Sequence, residues 1–526
     1  MTVIFLILFC SFTCLCWLPA QSYKILGVFP FPSRSHYAMM DVIMAKLAEK
    51  GHSVSVYSPY PKIKPAANLR EFSLANCTLS TQPADMSIDT LNSLMASPLM
   101  SVFFMSTMSN VSVESIRKCE AIQQLLESDE TFDLLITESF MYDVNLLFAH
   151  KFKVPFIAYI PNNLLPWHAD RMGNPSNPSY VPALVSGYLS SMNFWQRLHN
   201  FALYTTSVVL HNLITLKQND ETMKAILGPN TPSLYETVRQ TSLFFTYTHS
   251  SLNPVAPLVP GIVEIAGAHI KRAKPLPSDI EKFINESKHG VVYFCMGSLL
   301  RSETFTEEKR DAFLYAFSKI PQRVLWKWEA DNLPGKSDNI MTVKWMPQRD
   351  VLAHPNIKLF ISHGGLLGTS EAIYEGVPIL GIPIFGDQKT NVKSIEANGA
   401  GELLDYNSIT KEIVLEKVQR ILNNPKYMEN AKQLSERYRD RPMSPLDTAV
   451  YWIEYVIRHK GAPHLRTAAV DMPLYQYLLL DVIAFLLVVF ISTLAILYYI
   501  SKFVFKLITN RSSKKPKKTD KKAKAS

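Results

Sequence analysis

The chain has 526 residues, with 54 Lys and Arg against 45 Asp and Glu, and 47% of its residues are hydrophobic. That length holds two substantial domains plus targeting or anchoring segments, and 19% charged residues in so apolar a chain exclude a disordered or collagen-like protein. The net charge of +9 sits at the end: from Ser501 onward nine Lys and Arg511 face Asp520 alone, so residues 1–500 are neutral and a nucleic-acid-binding face is excluded.

Residues 3–18 form an apolar run too short to favour a spanning helix, and Pro19-Ala20 follows with a small residue at the cleavage position. Residues 1–20 read as a secretory signal, and the lack of Lys or Arg before the run keeps an uncleaved anchor as the alternative. Tyr23 to Phe29 reads as a strand, Pro30 to His36 as a polar loop, the stretch up to Lys50 as a helix stopped by Gly51, and Ser53 to Tyr57 as a second strand. Strand, loop, helix and strand make a βαβ unit and predict a parallel sheet. The pattern recurs at Phe132 to Thr137, a helix over 143–152, and Pro155 to Tyr159. Residues 160–240, rich in Pro, Asn and aromatics, read as helices and loops over an apolar cavity. Only Cys77, Cys119 and Cys295 follow the signal, an odd number, so no disulfide framework is expected. Asn76, Asn110 and Asn285 open N-glycosylation sequons on the lumenal side.

A second alternation begins at Val291. Val291 to Cys295, Val324 to Trp328, Ile340 to Val343, Leu359 to Ser362 and Ile379 to Ile382 read as buried strands with helices between them. The expectation is an α/β protein of two doubly wound domains, 21–255 and 256–445, facing a deep cleft, with a helix and juxtamembrane segment over 446–474. Leu478 to Ile500 is apolar for 23 residues, flanked by Tyr475 and Tyr477 on one side and Tyr498 and Tyr499 on the other, and reads as a transmembrane helix. Lys502, Lys506 and the basic tail 501–526 follow, so the tail is expected in the cytosol and the body in the lumen. The final Lys522-Ala523-Lys524-Ala525-Ser526 resembles a K-x-K-x-x retrieval signal of the endoplasmic reticulum, although a polybasic stretch beside anionic lipid needs the same charges.

Ligands of doubly wound sheets bind beyond the carboxyl ends of the strands, and the segment from Trp345 to Gln388 concentrates polar groups there. His363-Gly364-Gly365 turns from a strand into a helix, where backbone N–H groups and the helix dipole suit a phosphate. Glu371, two turns along that helix, suits a ribose diol. Asp387 and Gln388 offer an acceptor and an amide to a polyhydroxylated group, and Trp345 and Gln348 suit a flat base.

The run H-G-G-L-L-G-T-x-E-A, with its partners, resembles the signature of the UDP-glycosyltransferases, the insect branch in particular, and the resemblance covers the whole chain. It implies the two-Rossmann GT-B fold and a UDP-sugar held by the second domain. Trp345 would stack on uracil, Gln348 contact the nucleoside, His363 and the Gly364 and Gly365 amides hold the diphosphate beside Ser298, Glu371 bind ribose, and Asp387 and Gln388 the sugar. Leu367 departs from the Asn of the vertebrate branch, and Glu375 stands where a His is common, facing solvent. The family places its base in the loop after the first strand, which makes His36 the group that deprotonates an acceptor hydroxyl. Its partner carboxylate is left open: Asp143 is slightly favoured by residue type, and Glu138 matches by location.

The resemblance implies an inverting transfer of a hexose, with glucose ahead of glucuronate, to a hydroxyl of a small lipophilic acceptor, as in detoxifying conjugation. The acceptor pocket is expected from residues 60–115 and 160–240, including Trp167 and Trp195. No arginine that would bind a sugar carboxylate is identified near Asp387. No D-x-D motif or metal-spaced Cys/His cluster is found, so no metal cofactor is expected. The alternative from another class, a non-catalytic lumenal carrier of lipophilic ligands, has no use for His36, His363, Glu371, Asp387 and Gln388 together. Oligomeric state is left open.

Overall fold

The structure, a computed structural model, describes residues 22–77 and 86–512. The expected signal and residues 513–526 of the tail lie outside these.

Two parallel sheets build the body. The first contains β1 (Lys24–Val28), β2 (Ser53–Ser58), β3 (Leu69–Ser73), β4 (Leu134–Glu138), β5 (Phe156–Ile160), β6 (Leu243–Thr246) and β7 (Ile262–Glu264), in spatial order β3-β2-β1-β4-β5-β6-β7. The second contains β8 (Val291–Cys295), β9 (Arg323–Lys327), β10 (Ile340–Val343), β11 (Ile357–Ser362), β12 (Ile379–Gly381) and β13 (Gly401–Leu403), in order β10-β9-β8-β11-β12-β13. Strands such as β5 and β8 are buried along their whole length because helices cover both faces of a parallel sheet. Each order reverses once, between β1 and β4 in the first sheet and between β8 and β11 in the second. Chain leaving neighbouring strands there diverges to opposite faces and opens a crevice.

Helix α1 (Arg34–Glu49) follows β1 and buries Met39, Met40, Ile43, Met44 and Leu47. Helices α2 (Pro98–Lys118) and α3 (Phe194–Leu210) belong to the first half, α4 (Leu366–Glu375) and α5 (Gln388–Ala397) to the second. Helix α6 (Pro445–Arg458) returns to pack on α1, and its Glu454 accepts from His52 Nε2 at 3.1 Å and pairs with Lys50 at 2.5 Å.

Several expectations change. The division at 255/256 cuts the first sheet, since Phe244 to Thr246 pair with Ile262 to Glu264; strands of three or four residues carry too little pattern to be read. Cys77 and Cys119 form a disulfide with Cα atoms 5.1 Å apart, and among the described residues Cys295 alone is free, and it is buried. An odd cysteine count therefore concealed a pair, because the third thiol ends a core strand. His36 lies on the first turn of α1 and not in the loop. The apolar helix α7 (Leu480–Ser512) starts after Leu479, whose φ of +54° interrupts the helix, and runs beyond Ile500 through Lys502 and Lys506. Its 33 residues span about 50 Å at ~1.5 Å per residue, more than a hydrocarbon core of roughly 30 Å requires. The contacts divide the chain into a body ending at Thr467 and a second unit from Ala468 that contains α7.

Candidate active site

Both crevices open into one cleft of about 410 Å³ between the halves, lined by His36, Ser298, Trp345, Gln348, His363, Gly365, Glu371, Asp387 and Gln388. The strand registers explain much of this convergence. Val28 pairs with Thr137, so Glu138 ends β4 beside the chain that leads from β1 into α1. Ser362 pairs with Cys295, so the loops carrying His363 and Gly297-Ser298 leave side by side.

On the first-half wall, His36 Nδ1 lies 2.6 Å from Glu138 Oε1, and Tyr142 Oη donates to Glu138 Oε2 at 2.8 Å. Glu138 is buried, so an ionised carboxylate there needs both donors. It fixes the proton on Nδ1 and leaves Nε2 as the basic nitrogen. The rings of Phe31 (centroid 5.0 Å) and Phe140 (4.9 Å) hold the imidazole, and its side chain keeps 17% exposure.

Asp143 is engaged elsewhere. Arg171 of the short helix Pro166–Met172 clamps it with bonds of 2.7 and 2.5 Å, Ser139 Oγ donates at 2.6 Å, and His211 Nε2 lies 3.5 Å away. Burial alone would raise its carboxyl, but the Arg171 guanidinium and His211 hold it well below the usual range. An acid committed to a buried arginine cannot orient a second ring, so the preference for Asp143 is corrected and Glu138 is the partner of His36. The sequence omits Arg171 from the choice because the two residues are 28 positions apart.

On the opposite wall, the His363 ring is pressed between two glycines. A Cβ on Gly297 would lie 2.5 Å from His363 Cε1, and one on Gly365 would lie 2.3 Å from Nε2; Gly297 also has φ +92°. Only glycine allows both loops to approach the ring this closely. Desolvation in the cleft wall, with the Lys327 ammonium nearby, lowers His363 to about 4, so the ring is a neutral hydrogen-bond donor. Gly365 caps α4, whose first N–H groups open toward the cleft. Gly364 turns inward, its carbonyl accepting from Asn391 Nδ2 at 3.0 Å.

Gln348 Nε2 donates to Glu371 Oε2 at 2.7 Å, and His269 Nε2 is 3.6 Å from Oε1. Asp387 accepts from Asn391 Nδ2 at 2.7 Å. Desolvation raises Asp387 to about 6, opposed by the Asn391 bond and by the field of His36, which faces it across the cleft. Gln388 spends its carbonyl oxygen on the N–H groups of Ile384 and Phe385, leaving its amide NH₂ for a ligand. Trp345 is 59% exposed at the rim, with the Lys327 ammonium 5.6 Å from its ring centroid.

Four residues went unnoticed in the sequence. Lys327, buried at the end of β9, bonds the Gly297 carbonyl (3.0 Å) and Glu329 (2.7 Å); a lysine ending an apolar strand was the available signal. Asn391 links the glycine turn to Asp387, and its position four residues along the same helix made that pairing legible. His269 comes from the chain between the sheets and carried no signal. Arg34 lines the cleft with its guanidinium 5.8 Å from the Trp345 ring. Glu375 is not free in solvent: Arg349 pairs with it at 2.7 Å. Trp167 is buried beside an apolar cavity and stacks on His211 at 4.2 Å, whereas Trp195 points away, 72% exposed. Asn76, Asn110 and Asn285 are all exposed.

The family model described as UDP-glucoronosyl and UDP-glucosyl transferase matches residues 24–515. A UDP-glycosyltransferase UGT5 of Dactylopius coccus is 59% identical, over 95% of this chain and 96% of its own. UDP-glucosyltransferase 2 of the same insect is 41% identical (91% and 92%), and UDP-glucuronosyltransferase 2C1 of Oryctolagus cuniculus 32% (89% and 97%). Among solved structures, a UDP-glucose:anthocyanidin 3-O-glucosyltransferase in complex with UDP superposes with a TM-score of 0.54 at 17% identity, over 83% of this chain and 99% of that one, a likeness of fold. With the match spanning both sheets and the cleft between them, the chain belongs to the UDP-glycosyltransferase family and is an enzyme of that family.

Proposed function

We propose that the protein transfers a hexose, with inversion, from a UDP-sugar to a hydroxyl of a small lipophilic acceptor. The observation that carries this reading is the His36–Glu138 pair facing the glycine turn and Asp387 across one cleft. The acceptor O–H bonds to Nε2 of His36, and as its oxygen attacks the anomeric carbon the proton moves to that nitrogen. Glu138 stabilises the imidazolium without taking the proton. The anomeric C–O bond to the diphosphate breaks on the opposite face, which gives inversion, and UDP leaves with the electron pair. Its charge is met by the N-terminus of α4, the Gly365 amide, the His363 donor, Ser298 and the nearby Lys327 ammonium. Trp345 and Gln348 hold the base, Glu371 the ribose, and Asp387 with Gln388 the sugar hydroxyls. This constellation supplies positive potential without a divalent ion, so transfer is expected to be independent of metal.

Glucose is the favoured sugar, supported by the 41% identical relative named a UDP-glucosyltransferase. Glucuronate is the second reading, favoured by the Arg34 guanidinium in the cleft. The apolar cavity bordered by Trp167, Leu184, Leu210 and His211 holds only about 30 Å³ and would have to widen to take the hydrophobic part of an acceptor. The proposed location is the endoplasmic-reticulum membrane, with the body lumenal and the tail cytosolic. The Cys77–Cys119 bond suits an oxidising lumen, and exposed Asn76, Asn110 and Asn285 suit glycosylation there.

Microsomes carrying the protein, given UDP-glucose or UDP-glucuronate with a panel of phenols, test this through UDP release and product mass. Transfer from UDP-glucose that is lost in His36→Ala supports the reading. Full activity in that variant, or ligand binding without UDP release for any acceptor, overturns it.

A further inference from the structure

Two polar atoms of the cleft wall face each other with no bond between them. His269, on the chain between the sheets, has a side chain only 7% exposed, and its Nε2 is buried without a hydrogen-bond partner among the described residues. Glu371 Oε1 lies 3.6 Å from it. The other carboxylate oxygen, Oε2, already accepts from Gln348 Nε2 at 2.7 Å. His269, Gln348 and Glu371 all line the cleft.

The first half of the body holds this imidazole in place. Tyr247, which follows β6 and is fully buried, bonds His269 Nδ1 through its Oη at 2.9 Å. Burial pushes the Tyr247 phenol well above its ordinary range, so it keeps its proton. The turn that carries His269 is fixed as well. Gly267 has φ +90°, its carbonyl accepts from the Ile270 N–H at 2.9 Å, and a Cβ on it would lie 3.0 Å from Tyr438 Oη. One tautomer of His269 would aim the Nε2 lone pair at the Glu371 carboxylate. The favoured one accepts from Tyr247 at Nδ1 and turns Nε2–H toward Glu371.

A gap of 3.6 Å is too long for a direct N–H···O bond, yet one oxygen can sit about 2.8 Å from both atoms. That oxygen must accept from Nε2–H and donate to Oε1, which a hydroxyl does and an ether or carbonyl oxygen does not. A buried donor left unmet is costly, so the pair selects for a ligand that brings the hydroxyl.

We propose that His269 is a nucleotide-specificity residue, its Nε2–H donating to the same ribose hydroxyl that donates to Glu371, with Tyr247 as its positioning residue. The inference rests on the donor reading above. A nucleotide lacking that hydroxyl leaves Nε2–H and Oε1 both unpaired, so the site takes ribonucleotide donors and rejects the deoxy form. Through Tyr247, one end of the nucleotide site is anchored in the half that carries His36.

Calorimetry of the full-length protein with UDP, 2′-deoxy-UDP and 3′-deoxy-UDP tests this. Wild type should bind UDP about tenfold or more tighter than one of the two deoxy analogues, and that preference should shrink about threefold or more in His269→Leu. His269→Gln keeps an amide N–H and should retain the preference, and a Gln variant that loses it as fully as Leu assigns the effect to packing and overturns the proposal. Tyr247→Phe should lose about half of the preference, with no further loss when it is added to His269→Leu. Each preference compares two ligands on the same folded molecules, so a loss of folded protein does not imitate it. An unchanged preference in His269→Leu overturns the proposal; if that variant does not fold, an unchanged preference in Tyr247→Phe overturns it. Wild type that binds all three ligands equally overturns this inference alone, whereas wild type that binds none of them overturns the donor reading beneath it.

Discussion

Replacing Glu138 by Gln keeps the shape of the first-half wall and removes one charge, 2.6 Å from His36 Nδ1. The imidazolium that forms as the acceptor is deprotonated then loses its counter-charge. At a charge separation of roughly 4 Å and an effective dielectric of about 20, that attraction is about 4 kcal/mol, and each ~1.4 kcal/mol on the barrier is tenfold in rate. The amide also presents an N–H that competes for the ring nitrogen and scrambles the tautomer. We expect kcat to fall between about 10² and 10⁴-fold, with the KM for the UDP-sugar unchanged because the donor is held by the other half. Asp143→Asn is the contrasting perturbation. It leaves Arg171 buried beside an uncharged amide, so it should cost about 3–5 kcal/mol of stability, while the molecules that remain folded turn over at nearly the normal rate. Initial rates of UDP release, normalised to folded protein, with thermal melts of both variants separate the two roles. A Glu138→Gln enzyme within threefold of wild-type kcat would refute the reasoning, as would a stably folded Asp143→Asn enzyme that is inactive.

Other expectations concern the donor wall. Gly297→Ala sets a Cβ 2.5 Å from the His363 ring at a φ of +92°, and it should weaken UDP binding by more than about tenfold in calorimetry; unchanged affinity would show that the ring does not define the diphosphate site. Asp387 is raised to about 6, so it is ionised above that pH and becomes protonated as pH falls through it. Donor KM should rise below pH 6 in wild type and stay flat there in Asp387→Asn, as read from initial rates between pH 5 and 8. The native state holds this proton more tightly than the unfolded chain, so the residue's contribution to stability decreases as pH rises from the unfolded carboxylate range to about 6 and is constant above it. EDTA should leave transfer unaltered, and abolition that magnesium reverses would remove the metal-free reading.

The amino-acid order alone determined the architecture and half of the site. Buried strands in parallel sheets are continuous apolar runs, so β1, β4, β5, β8 and β11 were legible, and so were the polar groups beyond their carboxyl ends that line the cleft. His36, His363, Glu371 and Asp387 all lie within a few residues of a strand end or along one helix, and local geometry ties them to the cleft. The tertiary structure decided what depends on partners distant along the chain. Glu138 rather than Asp143 holds His36 because Arg171, 28 residues on, neutralises Asp143. Cys77 finds Cys119, and β7 crosses the expected domain division because its three residues gain hydrogen bonds only beside β6. Trp167 and Trp195 are the same residue type in one segment, yet one lines a cavity and the other faces outward. Which side of a helix is covered depends on what packs against it, and that is a property of the assembled fold.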